Sequence, residues 1–111
     1  MSKVYAPQVP SKYDPATKLW VPTLNLDHAK SFGEVVVMLP PNANRLHINP
    51  LVTALRDQMK DFTEEDYIIA VGDPSLIAAA ACIAARKTGG LLRILKWDRQ
   101  SNSYIAVEAN V

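Results

Sequence analysis

Cysteine, long apolar runs and excess charge are all scarce in this sequence of 111 residues. A single cysteine, Cys82, cannot form an internal disulfide, and its apolar neighbours predict that it is buried rather than nucleophilic. The longest fully apolar run covers residues 76–85, which is too short to span a bilayer. No apolar run opens the chain, so we expect no signal peptide, no membrane partner and a cytoplasmic location.

The charge balance is close to neutral. The net charge is +1, with 49% hydrophobic and 21% charged residues. This is ordinary globular composition, and it does not favour the polyanion partner that a strongly basic domain would indicate. The length predicts one domain.

Catalytic and cofactor motifs are also absent. The sequence has no GxGxxG, no GxxxxGK[ST] and no GxSxG pattern, and its two histidines, His28 and His47, lie far apart without a neighbouring ligand pattern. We therefore predict no cofactor, no metal and no catalytic residues. The carboxylate cluster Glu64, Glu65 and Asp66 is expected to form a solvated loop.

What the sequence does contain is an alternation of strands and helices. Residues 34–39 and 67–71 are short, almost wholly apolar runs typical of buried strands. Residues 91–97 predict a third strand, and residues 104–109 predict a last strand hairpinned to it. A helix is predicted from Asn49 and Pro50, with Leu55 on its buried side, and a second helix is predicted from Asp73 and Pro74 to about residue 88.

These elements predict an α/β fold of β-α-β-α-β-β order, mainly parallel, with an antiparallel C-terminal hairpin strand. Four prolines fall within the first 22 residues, and this density disfavours long helices and central strands. We therefore expect residues 1–32 to form a proline-rich N-terminal arm or hairpin, with an edge strand near residues 18–21, packed on an α/β core of residues 33–111.

The carboxyl ends of parallel strands are the first place to look for a ligand site. Loops at that end of the predicted sheet would bring together polar side chains that suit an anion at a helix N-terminus. The candidate residues are Arg45, His47, Asp73, Ser75, Asp98 and Arg99. Turn and cap geometry explains most of them equally well.

The N-terminal arm interleaves lysines with aromatic rings. Lysines pair with phosphates and rings stack on bases, so the arm is a weaker candidate for contact with single-stranded nucleic acid. The residues are Lys3, Tyr5, Lys12, Tyr13, Lys18 and Trp20. Anchoring of the arm on the core by its rings is the alternative.

The second predicted helix has no polar face between residues 76 and 85. A helix that is apolar all round is usually covered on more than one side, which favours self-association through this helix. Coverage by the N-terminal arm, or exposure of its alanines, would explain the pattern as well.

Three segments together resemble a known set of sequences. They are residues 13–22, with Tyr-Asp-Pro and Trp-Val-Pro, residues 66–74, and residues 95–104. In these segments the chain is similar to a set of small uncharacterised proteins encoded by tailed bacteriophages. The resemblance implies a phage origin and carries no activity or site residue with it. It favours an accessory role in phage DNA metabolism or in contact with a host protein.

Three hypotheses for function follow. The first is a non-catalytic binding or assembly module, acting as a homo-oligomer on a protein or nucleic-acid partner. The second is a small anion- or nucleotide-binding protein, or an enzyme, that uses the sheet-end crevice. The third is single-strand binding through the N-terminal arm.

Overall fold

A computed structural model describes residues 2–44 and 46–111. It confirms a mixed α/β fold with a mainly parallel five-stranded sheet and two helices among these residues. The elements in chain order are β1 Lys3–Gln8, β2 Ser11–Asp14, β3 Leu19–Pro22, a 3-10 helix Asp27–Ser31, β4 Glu34–Leu39, α1 Ile48–Gln58, β5 Tyr67–Ile69, α2 Pro74–Lys87, β6 Leu91–Asp98 and β7 Ser103–Asn110.

The main sheet has the strand order β4-β1-β5-β6-β7. The first four of these strands are mutually parallel, and β7 pairs antiparallel with β6, as the sequence predicts. Strands β2 and β3 form a separate antiparallel hairpin in which Tyr13 pairs with Trp20.

The predicted strand order omitted β1, and this is the main correction to the fold. Residues 3–8 belong to the sheet, between β4 and β5, and Val4 and Ala6 are completely buried. Pro7 is tolerated because β1 pairs with β5 only at Val4 and Tyr5, so the missing N–H lies beyond the last of those pairs. The proline-rich segment is therefore partly a central strand rather than an arm.

Two hydrophobic clusters hold the sheet, one on each face. Both long helices lie on one face, where Leu55 and Leu76 pack with the buried β5 residue Ile68. The 3-10 helix covers the other face, where its Ala29 packs among Val4, Ile69 and other strand residues. The predicted burial of Leu55 and Ile69 is confirmed, since both side chains have 0% exposure.

The two helix starts differ in how well the sequence predicted them. Asp73 is the N-cap of α2, its side chain accepts a hydrogen bond from the Ser75 backbone N–H, and Pro74 follows as predicted. Helix α1 begins earlier than predicted, at Ile48 after His47, so Asn49 lies inside its first turn instead of capping it.

The exposure of Cys82 was also predicted wrongly. Helix α2 turns Leu76, Ala80 and Ala84 toward the sheet, all with 0% exposure. Cys82 lies on the opposite side and is exposed, because a helical period of 3.6 residues separates it from that buried stripe. An apolar sequence neighbourhood does not by itself imply burial.

Asp66 is buried, contrary to the expected solvated loop. Its carboxylate accepts hydrogen bonds from the backbone N–H of Lys3 at 2.8 Å and from that of Thr63 at 2.8 Å. The first bond joins the turn before β5 to the first residue of β1. Asp66 therefore helps to place the central strand.

The ionisation of buried Tyr5 links the stability of the core to pH. Burial, followed by the nearby carboxylates of Asp66, Asp61 and Glu34, raises the pKa of Tyr5 above its usual value of 10.0. Above pH 10 the unfolded state therefore loses this proton more readily than the folded state, and the free energy of unfolding falls as pH rises. Below pH 10 the contribution of protonated Tyr5 to the free energy of unfolding is fully present.

We expect the Tyr5→Phe variant to lose less thermal stability than the wild type between about pH 9 and pH 11. Tyr13→Phe, the same change at a side chain that is 45% exposed, serves as the control and should behave like the wild type. Melting curves followed by circular dichroism measure this. Identical pH profiles for Tyr5→Phe and the wild type would contradict the prediction.

Candidate functional site

The carboxyl edge of the sheet is where the chain changes direction. From β1 the chain goes to β4 on one side, and α1 then carries it back across to β5 on the other side. This arrangement normally opens a crevice between the ends of the two central strands.

Protein backbone fills that position here. A Cβ atom on Gly72, whose φ is +99°, would lie 2.5 Å from the Gln8 carbonyl oxygen, so the loop after β5 lies directly against the end of β1. The buried Gln8 side chain also donates a hydrogen bond to the Pro40 carbonyl at 2.8 Å. Three loops therefore meet around Gln8.

The predicted carboxylates of the anion site serve local turns. Asp73 accepts hydrogen bonds from the backbone and hydroxyl of Ser75. Asp98 accepts bonds from the hydroxyl of Ser101 at 2.6 Å and from its backbone N–H at 3.2 Å, and these bonds lower the pKa of Asp98.

The other anion candidates are spread along the edge. Ile69 at the end of β5 pairs with Leu95, so Asp98 and Arg99 lie three or more residues further along, about 10 Å away. His47 is exposed at the start of α1, without a side-chain capping bond. Arg45 lies outside the described residues. The structure brings Asp73 and Ser75 together, and the anion site stays a prediction.

The residues predicted for nucleic-acid contact divide into two groups. Tyr5 is only 2% exposed and its ring packs against Phe62, with ring centroids 5.2 Å apart, so it is not available to stack on a base. Lys3 is exposed at the start of β1. The remaining four residues lie on the β2–β3 hairpin, all exposed: Lys12, Tyr13, Lys18 and Trp20.

The hairpin carries an apolar surface. Every residue of β3 is exposed, although three of them are large hydrophobic side chains: Leu19 is 63%, Trp20 41% and Val21 48% exposed. The Tyr13 and Trp20 rings meet edge to face across the hairpin at 5.5 Å. Turn chemistry supports this shape, since Asp14 accepts bonds from the Ala16 N–H and the Thr17 hydroxyl.

Beside the hairpin lie two adjoining cavities of about 590 and 270 Å³. Both are lined by Val9, Pro22 and the half-exposed Val37 of edge strand β4. Trp20 contributes to the smaller cavity, and the larger one extends to the Asp27–Lys30 ion pair. We call the two cavities together the hairpin groove. Exposed apolar surface of this kind often marks an interaction site.

A second concave surface lies near the β6–β7 turn. Leu24, Asn25, His28, Trp97 and Tyr104 line a cavity of about 300 Å³, here called the aromatic pocket. The Trp97 ring lies edge to face against Tyr104 at 5.0 Å and against His28 at 5.9 Å. Sequence analysis missed this pocket because its residues come from two distant segments and form no motif.

Two searches within the described part of the chain were negative. Residues 2–44 and 46–111 hold no group of three or more His, Cys, Asp or Glu side chains placed to bind a metal ion. Within the same ranges, no helix has both the length and the apolar character needed to cross a bilayer.

The fold defines a small α/β protein with an open, mainly parallel sheet, whose surface carries the hairpin groove and the aromatic pocket. A family model described as Phage Pam3 gp32-like protein matches residues 2–111. The chain therefore belongs to this phage protein family, and the resemblance to small phage proteins is confirmed. A search of curated proteins and a search of solved structures each gave no match.

Proposed function

We propose that this protein is a non-catalytic assembly module that binds a second copy of itself through the hairpin groove. The observation that carries the proposal is the exposed strand β3, which places the roughly half-exposed side chains of Leu19, Trp20 and Val21 beside the hairpin groove. An isolated two-stranded hairpin is only marginally stable, so an exposed apolar hairpin gains from a partner.

A second copy suits this surface because the exposed Trp20 side chain and the hairpin groove lie side by side. In a two-fold dimer the same patch meets itself, so the Trp20 ring of one copy would enter the groove of the other, and the reverse. Aromatic side chains seated in pockets are the commonest energetic centres of such interfaces.

The charges around the groove are compatible with self-association. The hairpin carries Lys12, Asp14 and Lys18, and the rim of the groove carries the Asp27–Lys30 pair, with N–O distance 2.9 Å. Both signs are present, so two copies would not face each other with a single sign of charge.

The local use of Asp98 supports the non-catalytic part of the proposal. Its carboxylate accepts bonds from Ser101 in its own turn. Such bonds serve the turn geometry and do not need a substrate.

Light scattering at concentrations up to roughly 1 mM tests the proposal. The wild type should have the mass of a dimer, and Trp20→Ser should weaken association roughly 30-fold, because truncating an aromatic centre costs about 2 kcal/mol. Val37→Glu should have a similar effect by placing a charge in the groove. Both positions are exposed, so melting curves should show folded variants.

The matched control is Ala78→Glu, which places the same charge on the exposed side of α2. It distinguishes the hairpin groove from the predicted self-association through residues 76–85. Ala84 does not suit this purpose because it is completely buried within the monomer. A monomeric wild type would refute the proposal, and so would a dimer that Ala78→Glu dissociates and Trp20→Ser does not.

A further inference from the structure

The aromatic pocket contains polar groups that the fold does not use. The Asn25 side-chain oxygen accepts the Asp27 backbone N–H at 2.8 Å, which directs the amide nitrogen away from that bond. Within residues 2–44 and 46–111, neither this nitrogen nor the Tyr104 hydroxyl has a hydrogen-bond partner. Tyr104 is only 6% exposed as a residue. Its hydroxyl oxygen nevertheless keeps some solvent-accessible surface, so a ligand could reach it.

His28 adds a third unused polar group. Its ring contacts Trp97, and its imidazole makes no hydrogen bond with residues 2–44 or 46–111. Tyr67 on the same sheet face shows the contrast, because Arg93 donates to its hydroxyl and stacks on its ring. A pocket whose polar groups converge without internal partners is the usual form of a small-ligand site.

The floor of the pocket is a ring surface. Trp97 is 41% exposed and lies between the Tyr104 and His28 rings. Nucleic-acid bases stack on such rings, and their edges hydrogen-bond to amide and hydroxyl groups. A cavity of about 300 Å³ is at the small end of ligand sites and suits one planar heterocycle.

The charge that follows Trp97 suits a phosphate. Arg99 lies in the exposed β6–β7 turn, two residues after Trp97. Lys96 and Asp98 flank Trp97 within β6, so their side chains lie on the opposite face of the sheet. Arg99 makes no ion pair with any residue in the described ranges. A quaternary ammonium ligand would be served better by a free carboxylate than by a guanidinium group.

We propose that the aromatic pocket binds the base of a nucleotide, stacked on Trp97, with Arg99 meeting its phosphate. The base comes either from a free nucleotide or from single-stranded nucleic acid, since both present the same chemistry. The site differs from the Lys-rich hairpin predicted from the sequence, and it does not rest on self-association through the hairpin groove.

Tryptophan fluorescence isolates this site because the chain has two tryptophans, one at each surface. In a Trp20→Phe background, Trp97 is the only reporter. Titration with adenosine monophosphate and, separately, with a single-stranded oligothymidylate should quench it to saturation. An oligonucleotide that binds more than tenfold tighter than the mononucleotide would identify nucleic acid as the source, and the reverse order would identify a free nucleotide.

Variants then assign the roles, with binding measured by calorimetry. Trp97→Leu should weaken binding roughly tenfold or more, through loss of stacking. Tyr104→Phe, which keeps the ring, should weaken it severalfold. Arg99→Gln should weaken binding of the nucleotide but not of adenosine. Tyr13→Phe and Trp20→Phe on the hairpin are the matched ring controls and should bind as the wild type does.

Three results would overturn the proposal. One is the absence of quenching by either ligand at millimolar concentration. Another is binding that Trp97→Leu leaves unchanged while Trp20→Phe removes it, which would return the site to the hairpin. The third is choline binding at the pocket in preference to the nucleotide. Melting curves for Trp97→Leu, Tyr104→Phe and Arg99→Gln, each compared with the wild type, distinguish lost binding from unfolding.

Discussion

Deleting residues 2–8 is expected to abolish cooperative unfolding of the whole chain. These residues form the strand between β4 and β5, and five of them, from Val4 to Gln8, are buried. Without β1 the sheet divides, because β4 pairs with no other strand among residues 2–44 and 46–111. Circular dichroism melts and calorimetry should show a broad, non-cooperative loss of structure.

A point variant makes the same test without a deletion. Val4→Asp places a carboxylate where the side chain has 0% exposure, and an unpaired buried charge costs several kcal/mol. Val111→Asp, the same change at a side chain that is 79% exposed, is the control and should stay folded. A sharp transition at an unchanged temperature for the 2–8 deletion would instead support the arm that the sequence predicted.

Truncation of Leu55 to alanine is expected to lower the free energy of unfolding by about 2–5 kcal/mol. Leu55 has 0% exposure and lies between α1 and the sheet, where its removal leaves a cavity that the helices cannot close fully. For a domain of this size, such a loss is a large fraction of the total stability.

The matched control is Leu46→Ala, the same change at a side chain that is 91% exposed. It should alter stability by less than about 0.5 kcal/mol. Denaturant melts of both variants measure the difference. Equal losses at the two positions would show that α1 does not cover the core as described.

The elements that sequence analysis predicted share one property, which is that their signals are local. Strand β4 contains three consecutive valines, α2 begins with its own cap at Asp73, and β7 follows β6 after a short polar turn. Each such signal lies within a few residues, so no knowledge of distant partners is needed.

Strand β1 was missed because its evidence is not local. It contains Pro7, and its partners begin at Glu34 and Tyr67, far along the chain. The burial of Asp66 could not be predicted for the same reason, since one of the N–H groups that bond its carboxylate belongs to the distant Lys3. The density of prolines correctly predicted that this segment forms no long helix, and wrongly predicted that it forms no central strand.

The candidate sites show most clearly what local sequence signals cannot predict. The sheet-end residues were chosen from loop order, but strand lengths separate Asp98 from the end of β5, and Gly72 lies against Gln8 where a crevice was expected. The aromatic pocket joins His28 and Trp97, which no spacing rule connects.

The sequence by itself determined the class of the fold, the helices and the β6–β7 hairpin, because periodicity, caps and turns act between near neighbours. Only the tertiary structure decided which strand is central, which side of α2 is exposed and which rings form a pocket. These features depend on contacts between segments many residues apart, whose free energy appears only when the whole sheet has formed.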